Sequence, residues 1–186
     1  MPYRSRITRT ADEQELVVKL IDFDLIFTEW EVMDIIAIES ELHVTEYANV
    51  GATAINDDYQ LATWLLDNAE LSAVNVLADP FADDLATNEF DTQASLIWYH
   101  EESYKLISNA GANQGGVSAR CDSGYRMNNL PQPYTVGRNI LHSVKGASKE
   151  DDDVVASWRS NLTIWGRRRK ASSKEEYYDI LYRQNF

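Results

Sequence analysis

The strongest constraint on the fold of this chain is the alternation of apolar and acidic residues across residues 16–50. In the first part of this stretch every second residue is apolar, the set being Ile21, Phe23, Leu25 and Phe27. Residues two apart lie about 200° round the axis of a helix, whereas on a strand they share one face. The pattern therefore predicts antiparallel strands with one apolar face and one acidic face.

The alternation changes parity between Thr28 and Glu29. Beyond that point the apolar residues fall on even-numbered positions, namely Trp30, Val32, Ile36 and Ile38, with glutamates interleaved. A shift of one residue would turn the apolar set to the wrong face of a sheet, so a turn or a bulge is needed there. Residues 16–50 are therefore interpreted as two or three strands.

The rest of the chain predicts further strands and one helix. Short apolar or alternating runs indicate strands over residues 59–69, 71–77, 95–107, 139–144 and 154–166, although the first run also fits a short helix. Glycine and proline concentrate between Gly111 and Gly137, so residues 109–116 and 128–133 are predicted to be connections. Ser173 and Glu176 stand at capping-box spacing before an amphipathic run, which predicts a C-terminal helix.

These elements predict an all-β protein, a single jelly-roll β-sandwich or barrel with a short C-terminal helix. The predicted division is a basic N-terminal arm at residues 1–14, one jelly-roll domain at 15–170, and an amphipathic helix and tail at 171–186. A chain of 186 residues can remove about 70% of its unfolded surface from water, so it needs no disulfide to fold. Its single cysteine, Cys121, cannot form an intrachain bridge.

The net charge of −13 is unevenly distributed. Residues 10–104 contain 22 acidic residues and a single basic residue, Lys19. A phosphate backbone would be repelled by most of this surface, so the charge excludes bulk duplex-DNA binding and predicts no sequence-specific nucleic-acid partner. The acidity is typical of adaptation to very high salt, where screening removes self-repulsion, and it also fits an ordinary acidic soluble protein.

Two basic groups stand out against this acidic background. The predicted contacts to an anionic protein or lipid surface are Arg4, Arg6, Arg9, Arg167, Arg168, Arg169 and Lys170. The alternatives are a solvated, frayed terminus for the first group and a hydrated strand end for the second. The residues predicted to dock the C-terminal helix are Tyr177, Tyr178, Leu181 and Tyr182.

The sequence offers little catalytic chemistry. The histidines, His43, His100 and His142, lie on separate predicted strands and lack the His-x-His pair of cupin metal sites. A nucleophile elbow, a phosphate-binding loop and a dinucleotide fingerprint are all missing. We therefore expect a protein that is not an enzyme and that holds no cofactor or metal. Asp151, Asp152 and Asp153 are interpreted as a solvated turn. We also expect neither a membrane span, since no apolar run approaches the roughly 20 residues required, nor a signal peptide.

Three strings in the last third of the chain carry a family resemblance. They run from Tyr134 through Gly137 to Ile140, from Ile164 through Trp165 and the basic run to Ser172, and from Ile180 to Phe186. With these strings the chain resembles the small major capsid protein of tailless icosahedral viruses of halophilic archaea that contain an internal membrane, the sphaerolipovirus-like group. The charge, length and β pattern agree over nearly the whole chain.

The resemblance implies a vertical single jelly roll that stands on the membrane vesicle. It implies pairing with copies of itself or with a larger companion capsid protein, peripheral contact with internal membrane lipids, and pseudo-hexameric capsomers. It places the protein in the virion capsid, assembled in the host cytoplasm under high salt.

Two other functions fit an all-β chain. One is a β-sandwich carbohydrate-binding module that stacks Trp64, Trp98 or Tyr99 on sugar. The other is a small cupin-like metal enzyme that uses His43 and His100.

Overall fold

The structure, a computed structural model, describes residues 2–10, 16–49, 56–67, 96–107, 123–148 and 154–184. These residues form eight strands, one α-helix and a single 3-10 turn at Phe27–Glu29. The elements are β1 (Pro2–Arg9), β2 (Leu16–Ile21), β3 (Glu31–Asn49), β4 (Asn56–Leu66), β5 (Leu96–Ile107), β6 (Ser123–Val136), β7 (Ile140–Ser148), β8 (Val154–Lys170) and α1 (Lys174–Arg183).

The strands build a jelly roll. Sheet A has the order β1-β8-β3-β6 and sheet B the order β2-β7-β4-β5. The pairs β1 with β8, β2 with β7, β3 with β6 and β4 with β5 are all antiparallel, as in one long hairpin rolled into two packed sheets. The predicted all-β jelly-roll sandwich with a short C-terminal helix is confirmed.

The core between the sheets has two apolar halves. One half surrounds Trp158, Tyr59 and Leu42, and the other surrounds Phe23, Ile38 and Leu162. Both halves arise because every second residue of β3 and β8 points inward, which is the alternation that the sequence displays. The two sheets pack on each other by removing these side chains from water.

The turn predicted near Glu29 is present as a 3-10 turn that ends at Trp30, whose φ of 55° is left-handed. The change of parity does not occur there, because Met33 and Ile35 of β3 face the core together with Ile21 and Phe23. Within β3 a β-bulge lies between Ile35 and Ala37. Ile36 is therefore 45% exposed, whereas Ile35 and Ile38 are fully buried. The prediction that Trp30, Val32 and Ile36 share the core face of Ile38 is wrong. Val32 packs against α1, Trp30 is 41% exposed, and the bulge adds one residue that exchanges the faces between Ile36 and Ile38.

Residues 128–133, predicted as a connection, lie inside β6. Both prolines of this segment are tolerated because β6 is an edge strand of sheet A, where one side of the backbone needs no ladder partner. The pairing with β3 passes from Tyr134 directly to Asn129, so the residues between them are left out of the ladder opposite Ile36. The prediction of a connection at residues 128–133 is therefore wrong, although four of these residues interrupt the pairing of β6 with β3.

The N-terminal residues do not form an arm over their first part. Pro2–Arg9 is the edge strand β1 and pairs with β8 along its whole length. The predicted strand at 71–77, the connection at 109–116, the turn at Asp151 to Asp153 and Cys121 lie outside the described residues. The ambiguous stretch at 59–69 is a strand through Leu66, as the sequence favoured.

Candidate interaction surfaces

The basic run at the end of β8 is paired largely with carboxylates of its own chain. Lys170 Nζ lies 2.7 Å from Glu29 Oε2, and Arg169 Nε donates to Asp34 Oδ2 at 2.8 Å. Arg168 donates to the carbonyl oxygen of Phe23. These contacts fasten the end of β8 to the loop before β3 and to β3 itself. They use much of the charge that the sequence suggested was directed outward.

Arg167 is the member of this group that faces outward most clearly. Its side chain is 72% exposed, although its Nη2 lies 3.5 Å from Asp34 Oδ2. The Asp34 carboxylate is almost buried and also accepts a hydrogen bond of 2.8 Å from Thr135 Oγ1. Asp34 therefore joins β3, β6 and β8, and Arg167 contributes the outer side of this cluster.

Glu176 anchors the start of α1. It accepts hydrogen bonds from the Ser172 hydroxyl and from the Ser172 backbone N–H, and its Oε1 accepts from Arg169 Nη2 at 2.9 Å. The bonds from Ser172 are the main reason that the pKa of Glu176 falls to about 2. The backbone N–H of Glu176 donates to Ser173 Oγ at 3.1 Å, so the capping interaction predicted from the Ser173 and Glu176 spacing is present.

The helix docks through one side only. Tyr177 and Ile180 are buried against Val32 and Ala171, with Leu181 packed beside them. Tyr178 and Tyr182 are 55% and 66% exposed, because a helix turns about 100° per residue and carries them away from the docked side. Tyr177 and Leu181 therefore dock the helix onto the protein's own sheet, and docking of Tyr178 and Tyr182 onto a partner stays a prediction. An open groove of about 430 Å³ runs beside this exposed side.

Gln184, the residue after α1, holds the helix against the turn between β6 and β7 by hydrogen bonds. Gln184 Oε1 accepts from the backbone N–H of Gly137 at 2.6 Å, and its Nε2 donates to the carbonyl oxygen of Asp67 at 3.0 Å. A Cβ at Gly137 would lie 2.9 Å from Leu181 Cδ2, so the helix approaches this turn at its backbone. Sequence reasoning missed Gln184, and no local pattern marks a glutamine that bridges two distant turns.

The N-terminal arginines separate into two kinds. Arg4 and Arg6 lie exposed on the outer face of β1. Arg9 is only 5% exposed, and its Nη1 donates to the carbonyl oxygen of Ala156 at 2.9 Å. The prediction that Arg9 contacts an anionic partner is wrong, because the strand alternation that turns Arg4 and Arg6 outward turns Arg9 inward.

Besides the tyrosines of α1 and the single residue Leu20 on β2, the exposed large apolar side chains of the described residues group in two places. Ile26, Phe27 and Trp30 surround the 3-10 turn next to α1, and the Phe27 ring makes an edge contact with Tyr177 at 5.7 Å between ring centroids. Trp165 and Ile36 lie on the outer face of sheet A and are 42% and 45% exposed. Each place combines apolar area with nearby charge, which is typical of surfaces that bind other proteins.

A layer of polar side chains crosses the core between its two apolar halves. His142 is fully buried, and its Nδ1 lies 2.9 Å from Ser5 Oγ while its Nε2 lies 2.9 Å from Thr63 Oγ1. Burial lowers the pKa of His142 to about 3, so the ring is neutral at physiological pH. Ser160 adds a longer contact of 3.4 Å to the same nitrogen. This network fixes how the two sheets meet, because each hydroxyl comes from a different strand.

A serine, a histidine and a glutamate meet at the other side of this layer. Ser40 Oγ is hydrogen-bonded to His100 Nδ1, and His100 Nε2 lies 2.8 Å from Glu102 Oε1. This order of groups resembles a hydrolase triad. Ser40 is fully buried and His100 is 2% exposed, so a substrate cannot reach the hydroxyl without separation of the sheets. We interpret the group as a core hydrogen-bond network.

The residues of the two alternative functions are not arranged for those functions. Trp64 and Trp98 are 1% and 5% exposed, so neither presents a face on which a sugar could stack. His100 points into the core, whereas His43 is half-buried on the outer face of sheet A, between the inward-facing Leu42 and Val44. The two histidines predicted for a cupin-like metal site are therefore separated by sheet A, because His43 lies on its outer face and His100, on β5 of sheet B, lies in the core.

The described residues also bear on metal binding and on membrane insertion. In this part of the chain, histidine, cysteine and acidic side chains do not gather in threes where a metal ion could be held. Among the helices that the structure describes, none has the length and apolar character needed to cross a bilayer.

Comparison with known proteins finds only distant structural likeness. The sequence matches no family model and no curated protein. A solved structure from Desmodium yellow mottle tymovirus is similar over 93% of this chain and 90% of that chain, with 12% sequence identity and a TM-score of 0.29. At this identity and TM-score the likeness does not identify the family or the function of this chain.

Proposed function

We propose that this protein is a non-enzymatic capsid subunit that builds an icosahedral shell from repeated copies of itself. The observation that carries the proposal is the strand order, in which each strand of the first half pairs antiparallel with its counterpart in the second half. Jelly rolls of this kind serve mainly as capsid proteins, lectin domains and cupins. The fold thus supplies three classes of function, and the side chains decide between them.

The positions of the side chains favour the capsid class. Of the aromatic residues predicted to stack on sugar, Trp64 and Trp98 are buried, and Tyr99 is half-buried with its hydroxyl donating to Glu101. A cupin-like function needs metal ligands that converge. His43 lies on the outer face of sheet A, whereas His100 lies in the core. A shell subunit needs a rigid sandwich and exposed side chains that can contact neighbouring subunits. The closed core supplies the first, and the exposed Trp165 and Arg167 supply the second.

The finer features of the proposal follow the resemblance to the capsid proteins of halophilic archaeal viruses. The net charge of −13 supports a shell that works at high salt. We further propose that the shell encloses an internal membrane, that a larger companion capsid protein shares the lattice, and that assembly takes place in the host cytoplasm. Arg4, Arg6 and Arg167 are the basic residues placed for contact with an anionic partner or lipid headgroups.

Assembly of the purified full chain tests the function. We expect shells or regularly curved sheets in negative-stain electron microscopy when the protein is concentrated in molar NaCl. A folded chain that stays monomeric at every protein and salt concentration would overturn the proposal. Circular dichroism dominated by β-structure confirms that the chain is folded in each condition.

One variant tests the basic contact separately. Arg167→Gln removes a charge that is 72% exposed and keeps an amide donor for Asp34, so it should weaken assembly without unfolding the subunit. Arg169 is unsuitable for this purpose because its Nε donates to the buried Asp34 carboxylate at 2.8 Å. Assembly that is unchanged in Arg167→Gln would remove Arg167 from the contacts and leave the capsid function standing.

A further inference from the structure

The outer face of sheet A carries opposite charges in matched rows, where a row is a set of residues that stand opposite each other on β1, β8 and β3. The register places Arg4 on β1 and Glu39 on β3 on either side of Thr163 of β8. In the next row of the same face, Arg6 and Glu41 flank Asn161. A basic column on β1 and an acidic column on β3 therefore run parallel to each other, one strand to each side of β8.

The spacing keeps the two columns apart within one molecule. Neighbouring strands are about 4.8 Å apart, so β1 and β3 are separated by roughly 10 Å. Glu41 Oε2 accepts a hydrogen bond of 2.7 Å from Asn161 Nδ2 on the intervening strand. Among the described residues, neither Arg4 nor Arg6 forms an ion pair with a carboxylate.

The third row of the face is apolar. Trp165 of β8 stands between Pro2 of β1 and Ala37 of β3, and the bulged Ile36 lies beside them. Trp165 and Ile36 are each more than 40% exposed. Beyond this row β1 has ended, and β8 continues to Lys170 alongside β3, towards α1.

We propose that this face binds the same face of a second copy of the chain, about a two-fold axis that runs along β8. Rotation by 180° about such an axis places β1 of one copy over β3 of the other in the same row. Arg4 then meets Glu39 of the second copy, and Arg6 meets Glu41, which gives four ion pairs in the dimer. An axis across the strands would place β1 over β1 and oppose like charges, so the charges select the orientation.

Residues on β8 meet their own counterparts in this arrangement. Trp165 stacks on Trp165 of the second copy and covers apolar area that is exposed in one chain. Thr163 and Asn161 lie close to their equivalents near the axis. Arg159, further along the strand, meets its own equivalent and is the contact that opposes association.

The contact area between the two copies is small, so the dimer is weak in dilute solution. Three strands over the rows from Arg159 to Trp165 offer roughly 350 Å² of flat face per copy at standard strand spacings. Stable protein pairs bury about 800 Å² per partner. Such a contact suits a lattice in which many weak contacts act together. The inference deepens the proposed capsid function by naming one contact between copies.

Disulfide trapping tests the axis without changing any charge. In a Cys121→Ser background, Thr163→Cys places a thiol next to the axis, and Ser103→Cys places one on the exposed edge strand β5 of sheet B as the matched control. We expect mild oxidation to link Thr163→Cys dimers about tenfold faster than Ser103→Cys dimers, the factor expected from four exposed ion pairs of modest strength. Equal rates would overturn the proposal.

A charge exchange tests the orientation. In the Thr163→Cys background, R4E/R6E and E39R/E41R should each reduce trapping to the control rate. The variant that carries all four substitutions should trap with itself at the original rate and should not trap with the unexchanged chain, because the mixed pair opposes like charges. Failure of the fourfold variant to recover, or ready formation of the mixed pair, would overturn the proposal.

These outcomes are separable from those of the proposed function. Trapping is read on the soluble chain at low salt, where screening is weak, and unfolding midpoints show that each variant is folded. Shell formation without preferential trapping at Thr163 counts against this face. Trapping at Thr163 in a chain that never forms shells counts against the capsid function.

Discussion

The fully buried His142 makes the stability of this protein dependent on pH. Its pKa is lowered from 6.5 to about 3, chiefly because burial penalises the charged ring and to a smaller degree because Lys19 repels it. The unfolded chain binds a proton below pH 6.5, whereas the folded chain resists protonation until about pH 3. The contribution of His142 to stability is therefore complete above pH 6.5 and is lost progressively as the pH falls towards 3.

The size of this effect follows from the two pKa values. Each pH unit between them costs about 1.4 kcal/mol, so a fall from neutral pH to pH 5 removes about 2 kcal/mol of unfolding free energy. His142→Gln removes the titrating group while leaving an amide for Ser5 and Thr63. We expect the loss between neutral pH and pH 5 to be smaller by about 2 kcal/mol in this variant than in the parent.

Urea unfolding followed by circular dichroism at the two pH values measures the difference. Carboxylates titrate in both proteins, so the comparison between parent and variant isolates the histidine. His43→Gln is the matched control, because this histidine lies half-buried on the outer face of sheet A. If parent and His142→Gln lose equal stability on acidification, or if His43→Gln reproduces the effect, the assignment of the pH dependence to the buried ring is wrong.

Four further substitutions test the fold. Ile38→Ala should cost about 2–5 kcal/mol of unfolding free energy because Ile38 is fully buried. Ile36→Ala on the bulge should change the unfolding free energy by less than about 0.5 kcal/mol because Ile36 is exposed. Equal losses for the two variants in denaturant titrations would contradict the bulge. Ser173→Ala should cost about 1 kcal/mol through loss of the helix cap, and an unchanged melting midpoint would show that the cap contributes nothing. Gly166→Ala should destabilise the protein because its Cβ would lie 2.7 Å from Met33 Sδ, and a variant as stable as the parent in thermal melts would show that β3 can move aside.

The sequence was sufficient where a pattern is local and repeats. The alternation around Leu42 identifies a strand because a period of two has no other regular solution, and Leu42 is in the core. The strand predicted from Ile21 to Phe27 is wrong beyond Ile21, where β2 ends, although Phe23 is also in the core. The spacing of Ser173 and Glu176 identifies the start of α1 because a cap involves residues three apart. A jelly roll followed from the number of strands and their irregular connections.

The basic residues show where sequence reasoning stops. A run of like charges looks outward-facing in a sequence, but Arg169 and Lys170 are paired with Asp34 and Glu29, which precede them by more than a hundred residues. Arg9 differs from Arg4 and Arg6 only in the face to which the strand turns it. Whether an arginine is exposed depends on how its strand pairs with its neighbours, and the charge of the side chain does not indicate this.

The sequence by itself determined that this chain is an acidic, all-β protein with one capped terminal helix, because propensity, alternation and capping act between near neighbours. Only the tertiary structure decided which strand lies beside which, that a bulge turns Ile36 outward, and that Arg4 shares a row with Glu39. These features depend on hydrogen-bond register between segments far apart in the chain. Register is fixed by the simultaneous packing of both sheets, which no local window of sequence contains.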